Sequence, residues 1–351
     1  METVIKKVDE NNIDMDIIRE MAEKIKNGET VIFPTETVYG LGANAMDENA
    51  AKKIYEAKGR PSDNPLIVHI ADVEEVEKIA LEVGEKARLA MDSFWPGPLT
   101  IILKKKEVVP NITSGGLSTV AIRMPSNKIA NALIRESKTQ IAAPSANISG
   151  RPSPTKAEHV VNEMSGRVYG IIMGGDCDFG LESTVVDFSE DKPMILRPGS
   201  ITKEMLEEVL GEVSIDPSLS KKEDNIKAKA PGMKYKHYSP NAQVYIVKGE
   251  ENNVVLKMNE LSRKNHAEDK KTGIMCMSKD IDKFECDYIV DLGKDYDEVA
   301  ANLFDALIKM DEAKMDIVYS VCFENCGVGQ AIMNRLLKSA GYRIIDADKC
   351  L

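Results

Sequence analysis

Short apolar runs alternate with helical patterns through the first 211 residues. Thr30–Phe33, Leu66–Ile70, Thr100–Leu103, Val120–Met124, Gln140–Ala143, Gly170–Met173, Thr184–Phe188 and Met194–Leu196 are brief and mostly rich in Val and Ile, which predicts strands. Between them, Ile13–Lys26 places Ile17, Ile18, Met21 and Ile25 at helical spacing, with Gly28 as a stop. Glu48–Lys58, Val73–Ala80, Glu85–Ser93, Lys128–Ser137 and Lys156–Met164 repeat that pattern. The interleaving predicts an α/β layer structure with a sheet of mixed direction.

The rhythm is lost over residues 212–242. Asp216-Pro217, the Lys221–Lys229 run, Pro231-Gly232 and Ser239-Pro240 read as a linker, long for a structureless connection. Residues 217–240 hold six lysines against Glu223 and Asp224. Two readings stay open for this segment, a solvated tether or a strap that folds over a ligand. From residue 243 a second alternation begins. Val244–Val247, Gly273–Met277, Tyr288–Val290, Ile317–Val321 and Arg343–Ile345 predict strands, and Glu298–Met310 and Ala331–Ser339 predict helices. A smaller doubly wound, Rossmann-like α/β domain follows. The expected organisation is a first domain over 1–211, a basic linker over 212–242 and a second domain over 243–351.

Composition changes this picture little. At 351 residues two domains are the default, and 43% hydrophobic with 29% charged residues describes an ordinary globular chain. No stretch approaches the ~20 apolar residues that span a bilayer, and the amino terminus lacks a signal peptide's apolar core. A cytoplasmic protein without membrane contact is expected. The net charge of -11 is distributed, with 15 Lys and Arg against 20 Asp and Glu in residues 241–351. Strong direct nucleic-acid binding is therefore not expected. The six cysteines form no C-x-x-C pair, which argues for reduced thiols rather than a zinc site.

Chemistry is suggested by where cations and hydroxyls fall. Lys58 and Arg60 sit in a Gly/Pro-punctuated loop, Lys58-Gly59-Arg60-Pro61-Ser62-Asp63-Asn64-Pro65. Arg offers a planar fork for phosphate or carboxylate and Lys a compact charge. Helix-dipole preference alone accounts for Lys58 but not for the Pro61–Pro65 passage. Arg123 and Arg197 lie at strand ends, as do Glu182-Ser183-Thr184 and Ser145-x-Asn147, where α/β sheets place ligands. His69, alone in an apolar run, reads as a satisfied core residue. No G-x-x-x-x-G-K-[ST], H-E-x-x-H or G-x-S-x-G motif is present. Gly327-Val328-Gly329 reads as a helix-start turn.

Together these residues resemble the threonylcarbamoyl-adenylate synthases, the YrdC-like family, in its long form with an appended C-terminal domain. The likeness rests on Lys58-x-Arg60 with Ser145-x-Asn147, F-P-T-E-T-V-Y-G-L at Phe33–Leu41 and F-W-P-G-P-L-T at Phe94–Thr100. It also rests on T-V-A-I-R-M-P at Thr119–Pro125, A-P-S-A-N-I-S-G at Ala143–Gly150, L-E-S-T-V-V-D at Leu181–Asp187 and L-R-P-G at Leu196–Gly199. It continues through Pro231–Pro240 and Gly327–Arg335. The resemblance implies a YrdC-like mixed twisted sheet and an enzyme joining L-threonine, bicarbonate and ATP into threonylcarbamoyl-adenylate with release of pyrophosphate. The product would serve modification of the adenosine beside the anticodon in tRNAs reading codons that begin with A, through a separate transferase. By the same likeness Thr37, His69, Arg123, Ala143 and Ser183 would contact threonine. Lys58, Arg60, Asn64, Thr119, Ser145, Ser153 and Arg197 would hold ATP, with Asn147 lining the pocket and Tyr238 reaching in from the linker. Magnesium would arrive with the nucleotide, and no covalent nucleophile is expected. A YrdC-like RNA-binding module without catalysis is the alternative.

Overall fold

The computed structural model describes residues 2–220 and 237–349. These fall into two compact units, one of residues 2–149 and 153–220, the other of residues 150–152 and 237–349.

The first unit is organised on one sheet of eleven strands. In chain order they are β1 (Val4–Lys7), β2 (Val31–Phe33), β3 (Gly40–Asn44), β4 (Ile67–His69), β5 (Leu99–Lys104), β6 (Thr119–Arg123), β7 (Ile141–Ala142), β8 (Gly170–Met173), β9 (Thr184–Asp187), β10 (Met194–Arg197) and β11 (Ser214–Ile215). Their order across the sheet is β1-β8-β2-β3-β7-β4-β6-β5-β9-β10-β11. Parallel pairs such as β4 with β6 alternate with antiparallel ones such as β5 with β6, so the sheet is mixed as expected. Most central strands are buried on both faces. This explains why they read as continuous apolar runs instead of alternating ones. Helix Met15–Lys26 buries Ile18, Met21, Ala22 and Ile25, and Asp14 caps its first turn by accepting from the amides of Asp16 and Ile17. Helix Glu48–Lys58 ends on Gly59 in the left-handed region (φ 60°), a conformation glycine adopts without steric cost. That stop turns the chain into the Arg60–Pro65 loop.

Three short strands escaped the hydrophobic pattern. β1 alternates half-buried and exposed residues at the sheet edge. β3 is Gly-rich, Gly40-Leu41-Gly42-Ala43-Asn44, and looks like a loop. Gly42 is required there because a Cβ would stand 2.6 Å from the Phe33 ring. β11 carries the first unit's sheet past residue 211, pairing in parallel with β10, and Pro217–Ser220 adds one 3-10 turn. Residues 221–236 of the expected linker lie outside the described residues, and residues 237–242 belong to the second unit.

The second unit holds five parallel strands, β12 (Gln243–Lys248), β13 (Thr272–Cys276), β14 (Tyr288–Asp291), β15 (Ile317–Val321) and β16 (Ile344–Asp346). Their order is β14-β13-β15-β12-β16. Helices Glu251–Ala267, Tyr296–Glu312 and Val328–Ser339 connect them. The first of these is 17 residues long and was not legible. Its buried face mixes Val254 and Met258 with Asn259, Ser262 and Asn265, so the apolar period is broken. The two asparagines are satisfied within the unit. Asn265 donates to Thr272 Oγ1 at 3.1 Å and to Tyr319 at 3.0 Å, and Asn259 bridges the Lys283 carbonyl and the Glu285 amide. Residues 150–152 join this unit through a hydrogen bond from the Ser239 amide to the Gly150 carbonyl and an Arg151–Asp311 ion pair at 3.1 Å.

One close approach in the first unit has a direct consequence. A Cβ on Gly199 would lie 2.4 Å from the Thr184 amide nitrogen and 2.7 Å from its Oγ1. Gly199→Ala is therefore expected to destabilise the chain by about 1–3 kcal/mol, read as a lowered urea midpoint at unchanged slope.

Candidate active site

The register of the sheet brings the candidate residues together. His69 ends β4 and Arg123 ends β6, directly paired in the parallel ladder. Thr100, at the start of β5, opposes Arg123 in the antiparallel ladder. Leu99 pairs with Thr184, so Ser183 lies just ahead of β9 at the same sheet edge. Arg197 ends β10 beside it. Side-chain contacts close the chain: Thr100 Oγ1 and Ser183 Oγ are 2.7 Å apart, and Arg197 donates from Nε to the Ser183 carbonyl at 3.0 Å and from Nη2 to Ser183 Oγ at 3.1 Å.

At the other flank, β2 ends at Phe33 and Pro34 leads into Thr35-Glu36-Thr37. Arg123 Nη2 donates to Glu36 Oε1 at 2.6 Å and Nη1 to Thr37 Oγ1 at 2.9 Å. Glu36 is 1% exposed and Arg123 4%. A guanidinium this deeply buried needs a charge partner, because an uncompensated buried ion costs several kcal/mol. Among the described residues, Glu36 Oε2 and Arg123 Nε have no hydrogen-bond partner. One is an acceptor and the other a donor. His69 lies in the same layer with Nδ1 3.2 Å from the Ile67 carbonyl. Burial, reinforced by the Arg123 charge, pushes its pKa down to about 3. The imidazole is neutral at physiological pH.

The cation loop forms a second cluster. Lys58 is 1% exposed, and its Nζ donates to the Ser145 carbonyl, to the Asn147 carbonyl at 2.5 Å and to Asn147 Oδ1 at 3.4 Å. Burial and then the Arg60 charge press its pKa well below that of a free lysine, with Glu163 and Glu182 opposing. Three acceptor oxygens around one nitrogen nonetheless match the three donors of the ammonium form. Ser145 Oγ donates to Asn147 Oδ1 at 2.5 Å. Arg60 Nη2 reaches the carbonyls of Asn64 and Pro65 at 3.3 and 3.1 Å. Asn64 Oδ1 is buried without a partner.

The remaining candidates are more spread. Ser153 donates to Glu182 Oε1 at 2.6 Å, next to Ser183. Ala143 follows β7 and donates its amide to the Ile67 carbonyl, beside β4. Thr119 starts β6 opposite Lys104, at the far end of that strand from Arg123, about 13 Å away at strand rise. Continuing the β4–β6 register places it next to Pro65, the residue whose carbonyl holds Arg60. Tyr238 belongs to the second unit. Its backbone is left-handed (φ 60°), its ring stacks on Phe304 at 5.1 Å, and the Arg335 guanidinium lies 5.9 Å from the ring centre. Glu36 and Thr100 were not singled out as site residues from the sequence. The available signal was a polar residue in or beside an apolar strand, Thr100 within Leu99–Leu103 and Glu36 three residues past the end of β2.

Buried cations, a neutral histidine and converging hydroxyls define an α/β protein built to orient charged small molecules. The chain belongs to the Sua5/YciO/YrdC family: that family's profile, described as "Telomere recombination", matches residues 23–199. A second profile, "Threonylcarbamoyl-AMP synthase, C-terminal domain", matches residues 201–341. The chain is 50% identical to the threonylcarbamoyl-AMP synthase of Pyrococcus abyssi, over 93% of this chain and 95% of that one. It is 48% identical to the enzyme of the same name from Bacillus subtilis, over 93% and 94%. The crystal structure of P. abyssi Sua5 complexed with L-threonine superposes with a TM-score of 0.94 at 49% identity, covering 98% of this chain and 99% of that one.

Two outcomes follow from the buried charges. Glu36→Ala strands Arg123 and is expected to cost about 3–5 kcal/mol, measured by urea denaturation, whereas Glu36→Gln keeps an acceptor and costs less. His69 binds no proton when folded between about pH 3 and its unfolded value near 6.5. The unfolded chain does, so stability falls as pH drops through that window and is unaffected above it. His69→Gln should flatten the decline by up to about 1.4 kcal/mol per pH unit, measured as stability against pH from 7 to 4.

Proposed function

We propose that this chain is a threonylcarbamoyl-adenylate synthase, joining L-threonine, bicarbonate and ATP and releasing pyrophosphate. The observation that carries the reading is the full-length likeness, in sequence and in fold, to enzymes named for this activity and to one crystallised with L-threonine.

The site's chemistry supports the same reading. Arg123 and Glu36 present a buried donor and a buried acceptor of opposite polarity, complementary to the carboxylate and ammonium of an amino acid zwitterion. Thr37, Ser183 and neutral His69 offer hydrogen bonds to the rest of the molecule, and Ala143 bounds it. The two unpartnered atoms, Glu36 Oε2 and Arg123 Nε, are closed to solvent, so the side chains around them would have to part for the amino acid to reach them. The amine, once deprotonated, forms a carbamate with bicarbonate as water leaves. A carbamate oxygen then attacks the α-phosphate and pyrophosphate departs. No protein nucleophile takes part. Lys58 and Arg60, with Arg197, supply the positive charge that an oxyanion-rich transition state needs. Asn64, Thr119, Ser145, Asn147 and Ser153 would hold the nucleotide around them.

Lys58 and Arg60 donate to protein carbonyls in the structure, so ATP must exchange with those partners. Among the described residues no cluster of His, Cys, Asp and Glu could hold a metal ion. Magnesium would arrive with the nucleotide substrate and neutralise phosphate charge. The adenylate would pass to a separate transferase acting on tRNA.

Arg60→Ala is expected to lower turnover by about 10²–10³-fold with little change in melting temperature. The assay is pyrophosphate release, with ATP, threonine and bicarbonate each omitted in turn. Release that persists without threonine or bicarbonate would overturn the proposed reaction, and a wild-type rate in Arg60→Ala would remove that residue from the site.

A further inference from the structure

In the second unit, β15 and β12 are neighbours that send their helices to opposite faces of the sheet. β12 leads through Glu251–Ala267 to β13, two places away on one side. β15 leads through Val328–Ser339 to β16, two places away on the other. Crossovers between parallel strands are right-handed in nearly all cases, which puts the two helices on opposite faces. A crevice forms outside the carboxyl ends of such a strand pair, where open parallel sheets receive ligands. A cavity of about 360 Å³ lies there, bordered by the residues that follow β12, β13 and β15. That volume is within the usual range for small-molecule sites.

The walls indicate what the cavity would take. Phe284, Tyr296 and Phe323 supply flat apolar surface, with Tyr296 and Phe323 edge to face at 5.8 Å. The seat that a phosphate would use in a turn of this kind is filled from within the unit. After Gly249 (φ 145°), the Glu250 amide donates to Asp348 Oδ1 and Oδ2 at 2.9 and 3.2 Å, and Asn253 Nδ2 donates to Oδ1 at 3.0 Å. Glu250's own carboxylate takes the amides of Asn252 and Asn253. The first turn of that helix thus faces two carboxylates. The bordering lysines are also engaged, Lys248 with Asp346 at 3.4 Å and Lys279 with Glu251 at 3.1 Å. A phosphate would meet negative charge there, whereas hydroxyl groups would find acceptors in Glu324 and in the remaining lone pairs of Glu251, whose two oxygens also take Lys279 at 3.1 Å and Lys283 at 2.7 Å; both glutamates are exposed on the cavity.

We propose that the crevice between β12 and β15 is a second ligand site, for an unphosphorylated nucleoside. Its base packs against Phe284, Tyr296 and Phe323, and its sugar hydroxyls donate to Glu251 and Glu324.

Cys322 borders the cavity and is exposed, while Cys326 is exposed outside its lining. This gives a site-specific readout in the full-length chain: iodoacetamide labelling of each thiol, quantified by peptide mass spectrometry, with adenosine as the probe. Millimolar adenosine is expected to slow Cys322 labelling several-fold and leave Cys326 unchanged, with AMP much less effective. Val255→Trp, which fills the cavity from a half-buried position, should abolish the protection. The double variant Glu251→Ala/Glu324→Ala should weaken it several-fold, and serves where the tryptophan is not tolerated in thermal melts. Absence of protection by adenosine, equal protection by AMP, or protection that survives in both variants overturns the proposal.

Discussion

The arrangement of the first unit's site depends on one buried ion pair. Arg123 lies at the end of a strand in a region almost without solvent access. Its charge is tolerable there because Glu36 meets it at 2.6 Å and Thr37 takes a second donor. Through the ladder, Arg123 is in register with both His69 and Thr100. Thr100 holds Ser183, and Ser183 holds Arg197. A shift of one residue in any of these strands would send the side chains to the opposite face. The ion pair and the sheet register therefore support each other.

The same logic governs Lys58. Its ammonium group is surrounded by carbonyl and amide oxygens of the Ser145–Asn147 loop, and the Ser149 amide returns to the Lys58 carbonyl. These contacts pin two segments more than eighty residues apart in sequence. The Lys-x-Arg and Ser-x-Asn motifs are thus one structural object. This explains why neither is persuasive when considered alone: each provides half of a hydrogen-bonded cluster around a buried lysine nitrogen.

Several elements were legible because burial leaves a plain mark on composition. The doubly buried strands of the first unit read as Val- and Ile-rich runs, and helices such as Met15–Lys26 carried a clean apolar stripe. What failed has equally physical causes. β3 is a strand because Phe33 packs where its glycines leave space, a fact stored in a different segment. Helix Glu251–Ala267 turns Asn259, Ser262 and Asn265 inward, and the two asparagines are satisfied by hydrogen bonds to partners its own sequence does not reveal. His69 illustrates the limit for the site. As a lone histidine in an apolar run it is indistinguishable from a core residue, and its place beside Arg123 is set by strand pairing.

The chain's own order of residues determined the two α/β layers, the helix stops, the presence of a cation loop and the motifs that mark its family. These are local properties, set by periodicity, capping and backbone freedom within a few residues. Tertiary structure alone decided which polar residues meet. Glu36 became the partner of Arg123, Thr100 the link to Ser183, and Asp348 the carboxylate at the Glu250 amide. Each of those contacts joins segments 83 to 98 residues apart. The energy of desolvating such groups is recovered only when the folded chain brings opposite partners within hydrogen-bond distance.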